Sequence, residues 1–303
     1  MTPKKFLELY NISERIPFDR ESKIVVISDA HRGDGSYADS LISNKNIYVA
    51  ALNYYYKEGY TLIEAGDGDE LWKNKSYRDI SYNYRDVFRI LNKFNKKGRL
   101  HMIYGNHDSK KSSKEFLQKQ KRKLRKIDEN FGKDFKYLID NIKFKESLVL
   151  RHEPSKKEIF IAHGHQLDPM NYEFAFISKF LVRHFWRYME GIGGCKAPTS
   201  PANNYKKGGK VDQKLSNWSE KYKKFIICGH THKSRFPDLG EGLYFNDGCC
   251  VLPYSISTIE ISSGLIALVK WKIDVRGDNT LYIRRSILGG PEKIDEYLKY
   301  VED

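Results

Sequence analysis

Five short motifs rich in Asp, Asn, His and Gly each follow a short apolar run, and they constrain the fold more than anything else in the 303 residues. Asp29-Ala30-His31 follows the run at 24–27, and Gly66-Asp67-Gly68-Asp69-Glu70 follows that at 60–63. Gly105-Asn106-His107-Asp108 follows 100–104, His163-Gly164-His165 follows 159–161, and Gly229-His230-Thr231-His232 follows 225–228. The apolar runs have the length of buried strands. Amphipathic stretches at 37–58 and 76–94 separate the first three. Such alternation predicts a layered α/β fold with parallel pairing, and it puts every motif beyond the carboxyl end of a strand, where open α/β sheets hold ligands. Further strands are expected at 243–245, 257–261 and 265–273. Ser262-Ser263-Gly264 and Arg276-Gly277-Asp278-Asn279 read as turns of a C-terminal hairpin region.

An Asp at a strand end and a His two residues later can face one point once the strand breaks into a loop. Glycines beside Asp67, Asn106, His163 and His230 permit the sharp turns this needs. The donors are carboxylate oxygens, an amide oxygen and imidazole nitrogens. That mixture suits manganese, iron or zinc better than calcium or magnesium. Asp29, His31, Asp67, Asn106, His163, His230 and His232 are too many for one tetrahedral ion. They suit two ions about 3.5–4 Å apart that share one carboxylate.

The order of these motifs resembles the calcineurin-like metallophosphoesterase superfamily, over residues 23–232 and the strands that follow to about 275. The resemblance implies a four-layered α/β/β/α sandwich with a helical insertion. It implies that Asp29, His31 and His232 hold one metal, that Asn106, His163 and His230 hold the other, and that Asp67 bridges them. The pair is expected to be manganese, with iron or zinc as alternatives. A hydroxide shared by the ions would attack phosphorus. His107 would face the scissile group and protonate the leaving oxygen, with Asp108 orienting it. Glu70 is expected behind the ligands, and His165 behind them or facing substrate. Asp69 and Asp34 are candidates for fixing imidazole tautomers, with a solvated turn as the plainer alternative for each. The expected organisation is one domain at 20–303, a lid-like helical insertion at 168–223 and an N-terminal extension at 1–19.

A narrower similarity is to the UDP-2,3-diacylglucosamine pyrophosphohydrolase-like group, through the insertion and the continuation into Phe245-Asn246-Asp247-Gly248. Two residues depart from it, His107 where that group has Arg and His165 where it has Asp. The leading expectation is therefore hydrolysis of a phosphodiester or pyrophosphate bond in a nucleotide-sugar or lipid-linked substrate. Phosphomonoesterase and nuclease activities of the same superfamily are the alternatives.

Charge bears on the partner. Lys and Arg number 53 against 39 Asp and Glu, a net +14 that favours phosphorylated substrates or acidic lipid surfaces. Nucleic acid fits the charge as well but is not favoured, because no recognisable binding module accompanies it. Residues 110–126 hold nine basic side chains and one acidic one, either a solvated helix face or an anion-attracting rim. Within the insertion, Phe174, Phe176, Ile177, Phe180, Leu181, Phe185, Trp186 and Met189 alternate with Lys179, Arg183 and Arg187. That helix can meet acyl chains and phosphates together, which allows peripheral contact with a membrane. Cys195, Cys228, Cys249 and Cys250 form no CxxC and are expected as reduced thiols. With neither a signal peptide nor a run of 18 apolar residues, the expected location is cytoplasmic. The oligomeric state is left open.

Overall fold

A computed structural model describes residues 1–74, 76–124, 129–173, 175–182 and 205–302. Two sheets hold its strands: β1 (Arg15–Phe18), β2 (Ile24–Ile27), β3 (Thr61–Ala65), β4 (Leu100–Ile103), β5 (Phe144–Lys145), β6 (Ser147–His152), β7 (Glu158–Ala162), β8 (Phe225–Cys228), β9 (Tyr244–Asn246), β10 (Ser255–Ser262), β11 (Leu265–Val275) and β12 (Leu281–Lys293). One sheet runs β12-β11-β10-β2-β3-β4-β5 and the other β1-β6-β7-β8-β9. In the first, β2, β3, β4 and β5 pair in parallel, while β10, β11 and β12 form an antiparallel meander joined to β2.

Period-two alternation along each strand builds the layers. Ile24, Val26, Ile63 and Ile103 point into a core shared with Leu148, Leu150, Ile159, Ile161 and Phe225 of the opposite sheet. The alternate residues Val25, Ile27, Leu62 and Met102 point away, into a core with Tyr48, Leu52, Val87, Phe88, Leu91 and Phe135. Those partners come from helices Lys45–Lys57, Arg85–Lys96 and Glu129–Asn141. On the far side of the five-stranded sheet, Val149, Phe160, Ile226 and Tyr244 pack against Phe6 of helix Pro3–Ile12 and against Val211, Leu215 and Trp218 of helix Tyr205–Tyr222. The result is the expected α/β/β/α sandwich. Burial on both faces favours apolar residues, and 24–27 and 225–228 carry no polar one.

Three expectations need correction. Residues 1–19 are no extension outside the domain. β1 is the edge of the five-stranded sheet, parallel to β6, and Phe6 is fully buried. Pro17 lies in that edge strand, a position where its missing N–H is tolerated. The region 168–223 is not all insertion, because its last helix supplies the outer layer that joins parallel strands β7 and β8. The helix expected at 76–94 breaks at Tyr84 into Tyr77–Asn83 and Arg85–Lys96. In the aromatic stretch 174–189, Phe174 and residues 183–189 lie outside the described residues, as does Cys195. Among the described residues no helix is long and apolar enough to cross a membrane.

Candidate metal centre

Asp29, Asp67, Asn106, His163 and His230 each stand in the loop just after β2, β3, β4, β7 or β8, so the two sheets deliver them to one edge of the sandwich. The turns are tight. Asp29, His31, Asp67, His230 and His232 all have φ between 47° and 68°, the left-handed region that L-residues avoid at roughly 1–2 kcal/mol each. Backbone strain of this kind clusters where side-chain aim matters more than local comfort. At Gly66, φ is +99° and a Cβ would stand 2.5 Å from Nδ1 of His163.

The donors fall into two groups. Asp29, His31 and His232 bring one ligand atom each within 4.8 Å of one another, and so do Asp67, His163 and His230. Oδ1 of Asp29 lies 3.0 Å from Nε2 of His232, 3.6 Å from Nε2 of His31 and 3.9 Å from Nε2 of His163. Oδ2 of Asp67 lies 3.1 Å from Nε2 of His163 and 3.8 Å from Nε2 of His31, so it faces both groups. The opposite oxygens are already used. Oδ2 of Asp29 accepts the His230 N–H at 2.8 Å, and Oδ1 of Asp67 accepts the His107 N–H at 2.8 Å.

Three imidazoles have one nitrogen anchored by protein. Nδ1 of His31 lies 3.3 Å from Oε2 of Glu70, Nδ1 of His163 lies 3.0 Å from the Ala65 carbonyl, and Nε2 of His230 lies 3.2 Å from Oδ2 of Asp168. Such partners fix the tautomer and leave the other nitrogen to an ion. The unanchored donors are informative in turn. Oδ1 of Asp29, Oδ1 of Asn106 and Nε2 of His163 are buried without a hydrogen-bond partner. Buried polar atoms are seldom left so. All three belong to the predicted ligand set, and the residues therefore fit a divalent-metal site.

The family model of calcineurin-like phosphoesterases matches residues 22–234. The chain belongs to that family. Among solved structures, this phosphoesterase is similar to Vps29 of Chaetomium thermophilum, at 10% identity and a TM-score of 0.39, over 88% of its own length and 97% of the other. It is also similar to a Staphylococcus aureus protein described as a 5'-nucleotidase, at 10% identity and a TM-score of 0.33, over 91% of its own length and 57% of the other. No curated protein matches it.

Electrostatics in the phosphoesterase site favour positive charge. Burial alone would lower His31, but Asp29, Glu70 and Asp67 around it raise it to about 10. His163, equally buried, is raised to about 9 by Asp67 and Asp29. Burial pushes the Asp29 carboxyl up, yet His232 and His163 hold it well below the usual range. Asp247 goes the other way, driven well up by burial and by Asp29, and its Oδ1 accepts from the Ser28 hydroxyl at 2.7 Å.

Asp108 does not orient His107, contrary to the expectation from the motif. Its Oδ1 accepts the Gly105 N–H at 2.7 Å and its Oδ2 meets Nζ of Lys111 at 2.7 Å. Glu70 takes that task. Its Oε1 lies 2.9 Å from Nδ1 of His107 and also accepts the N–H groups of Trp72 and Lys73 at 3.1 Å. Asp69 fixes no imidazole either, and it sits in no solvated turn. It forms a fully buried pair with Arg32 at 2.7 Å and a second with Lys111. Arg32 also bonds Glu64 at 2.6 Å, which completes a network of buried charges beneath the site. Asp34 accepts from the Ser36 N–H. His165 is buried beside His163, ring centroids 5.4 Å apart, and its Nδ1 has no hydrogen-bond partner.

Two site residues escaped the sequence reading, Asp168 and Trp72. Asp168 precedes Pro169 and reads as a helix cap, which it also is, accepting the Met170 N–H at 3.1 Å. Trp72 gave no signal beyond its nearness to Glu70.

Proposed function

We propose that this phosphoesterase uses two metal ions to hydrolyse a phosphodiester or pyrophosphate bond in a small or lipid-linked substrate. The observation that carries the reading is the pair of donor groups facing one carboxylate, Asp67, with His107 beside them. Asp29, His31 and His232 would hold one ion, Asn106, His163 and His230 the other, and Asp67 both. Two bound divalent ions supply a water-derived nucleophile at neutral pH and neutralise charge on the phosphoryl oxygens. Manganese is the first choice, with iron or zinc behind it, because the donors mix nitrogen and oxygen.

The protein's own groups do the rest. Glu70 engages Nδ1 of His107, so Nε2 is the nitrogen left to face the phosphoryl group and to give a proton to the leaving oxygen. Glu70 also bonds His31, so one carboxylate aligns a ligand and the acid. The net charge of +14 draws anionic substrate.

The substrate class is supported by an apolar patch. Met170, Tyr172, Phe176, Ile177, Phe180 and Leu181 are exposed within twelve residues, and Tyr172 lies 5.8 Å from His165, ring to ring. An acyl or other apolar group beside the phosphate would cover it, which allows contact with a membrane surface as well. Cys228, Cys249 and Cys250 are buried free thiols, in keeping with a reducing cytoplasm.

The deciding experiment is metal analysis of purified protein followed by paired assays with bis(p-nitrophenyl) phosphate and p-nitrophenyl phosphate. Two equivalents of metal and preference for the diester are expected. Faster hydrolysis of the monoester would replace the reading with a phosphomonoesterase, and cleavage of oligonucleotides with steep salt dependence would replace it with a nuclease.

A further inference from the structure

Trp72 is 3% exposed, and its indole lies flat on the His107 ring, with centroids 4.1 Å apart and planes 22° apart. Its backbone N–H donates to Oε1 of Glu70, the same oxygen that meets Nδ1 of His107. His31 meets the His107 ring edge-on, centroids 4.7 Å apart and planes at 87°. His107 is thus bounded by an indole against its face, a carboxylate at Nδ1 and an imidazole roughly perpendicular to it. A hydrogen bond at Nδ1 alone leaves the ring free to swing about that bond. Contact over the whole face of a rigid indole removes that freedom, and stacked aromatic pairs carry about 0.5–1.5 kcal/mol beyond their burial.

We propose that Trp72 is a positioning residue of the reaction: its indole fixes the plane of His107, so that Nε2 stays aimed at the leaving oxygen. The inference rests on His107 acting in the reaction. The indole stacks on His107, and on this proposal its effect on the reaction passes through that ring. The Trp72 side chain therefore matters only while His107 is present, and it matters most where the leaving group is poor and needs a proton.

A double-mutant cycle tests this, with Trp72→Ala, Trp72→Phe, His107→Ala and the pair Trp72→Ala/His107→Ala. The substrates are two diesters that share one phosphoryl half, one with a p-nitrophenyl leaving group and one with an alkyl leaving group. Trp72→Ala is expected to lower kcat for the alkyl ester roughly tenfold to a hundredfold, the scale of a slightly misplaced catalytic group, with KM and metal content unchanged. The loss on the p-nitrophenyl ester is expected to be smaller. Trp72→Phe keeps a flat face and should recover most of the rate, and Trp72→Ala should cost nothing further once His107 is Ala. A second readout needs no turnover. The His107 ring protons in the NMR spectrum, assigned by their loss in His107→Ala, should lie upfield in wild type and move downfield in Trp72→Ala. Equal losses from Trp72→Ala with and without His107, equal losses on both esters, or unmoved His107 protons would each overturn the proposal. His107→Ala at the wild-type rate is a separate failure, since it removes His107 from the reaction and the inference with it.

Discussion

At the scale of single residues, the site was legible wherever the chemistry demands a particular atom. Asp, Asn and His at strand ends offer the hard and borderline donors a divalent cation takes, so seven candidate ligands could be named from motifs alone. What the motifs do not encode is which of two neighbouring carboxylates turns toward His107. Asp108 is adjacent in sequence but is drawn away by the Gly105 N–H and Lys111, whereas Glu70, 37 positions earlier, comes within 2.9 Å. Aim is a property of the folded backbone, and adjacency in sequence is a poor guide to it. The two carboxylates therefore separate by experiment. Glu70→Gln should keep the protein folded and lower kcat by about 10²-fold or more, because both His31 and His107 lose a charged partner. Asp108→Asn should instead lower the unfolding midpoint more than it lowers kcat in the folded protein, since its partners are Gly105 and Lys111. Kinetics and urea unfolding on the two variants give the answer, and the reverse ranking would return the orienting task to Asp108.

At the scale of elements, strands buried on both faces announced themselves as short, mainly apolar runs, and β2, β3, β4, β7 and β8 were read correctly for that reason. β1, β5, β6 and β12 were not: β1, β5 and β12 are edge strands, β1 and β12 mixing charged and apolar residues, and β6 is a short apolar run that ends in Arg151-His152. The strand ends carry the site, so their geometry can be tested without touching a ligand. A Cβ at Gly105 would run into Oδ1 and the backbone nitrogen of Asp67. Gly105→Ala should therefore leave the circular dichroism spectrum unchanged while metal content per chain falls. Full metal loading in that variant would show that Asp67 need not sit where the structure has it. The buried charges beneath the site form another element-scale unit. Lys111 lies between Asp69 and Asp108 and is 1% exposed. Lys111→Met removes one cation and leaves the buried Asp108 carboxylate without its charged partner, while Asp69 keeps Arg32; a loss of about 3–5 kcal/mol is expected from urea unfolding. A change below about 1 kcal/mol would mean that solvent reaches the network after all.

At the scale of the whole molecule, the sequence predicted the four layers but misplaced their boundary. Residues 1–19 looked detachable because the motifs begin only at Asp29 and because Pro3 and Pro17 interrupt any long periodic pattern. In the fold those residues close the outer side of the five-stranded sheet. Phe6 packs edge-on against Trp218 with ring centroids 4.9 Å apart and lies 5.2 Å from Phe160, while the Trp218 Nε1–H donates to the Pro3 carbonyl at 2.9 Å. β1 covers the edge of β6, which would otherwise present unpaired N–H and C=O groups. Helix Tyr205–Tyr222 shares that core through Trp218, and its Asp212 accepts from the Thr231 hydroxyl at 2.8 Å, between the candidate ligands His230 and His232. The N-terminal residues thus reach the candidate metal centre through two packing steps. Deleting residues 1–19 should uncover Phe6's partners and Tyr10's, at about 1.5–3 kcal/mol for each large side chain no longer buried. The truncated protein should therefore unfold at distinctly lower urea and bind metal more weakly, because the layer that carries Asp212 loosens with it. A truncated chain with the full-length midpoint and undiminished metal content would restore the boundary at residue 20 and make the first nineteen residues an appendage.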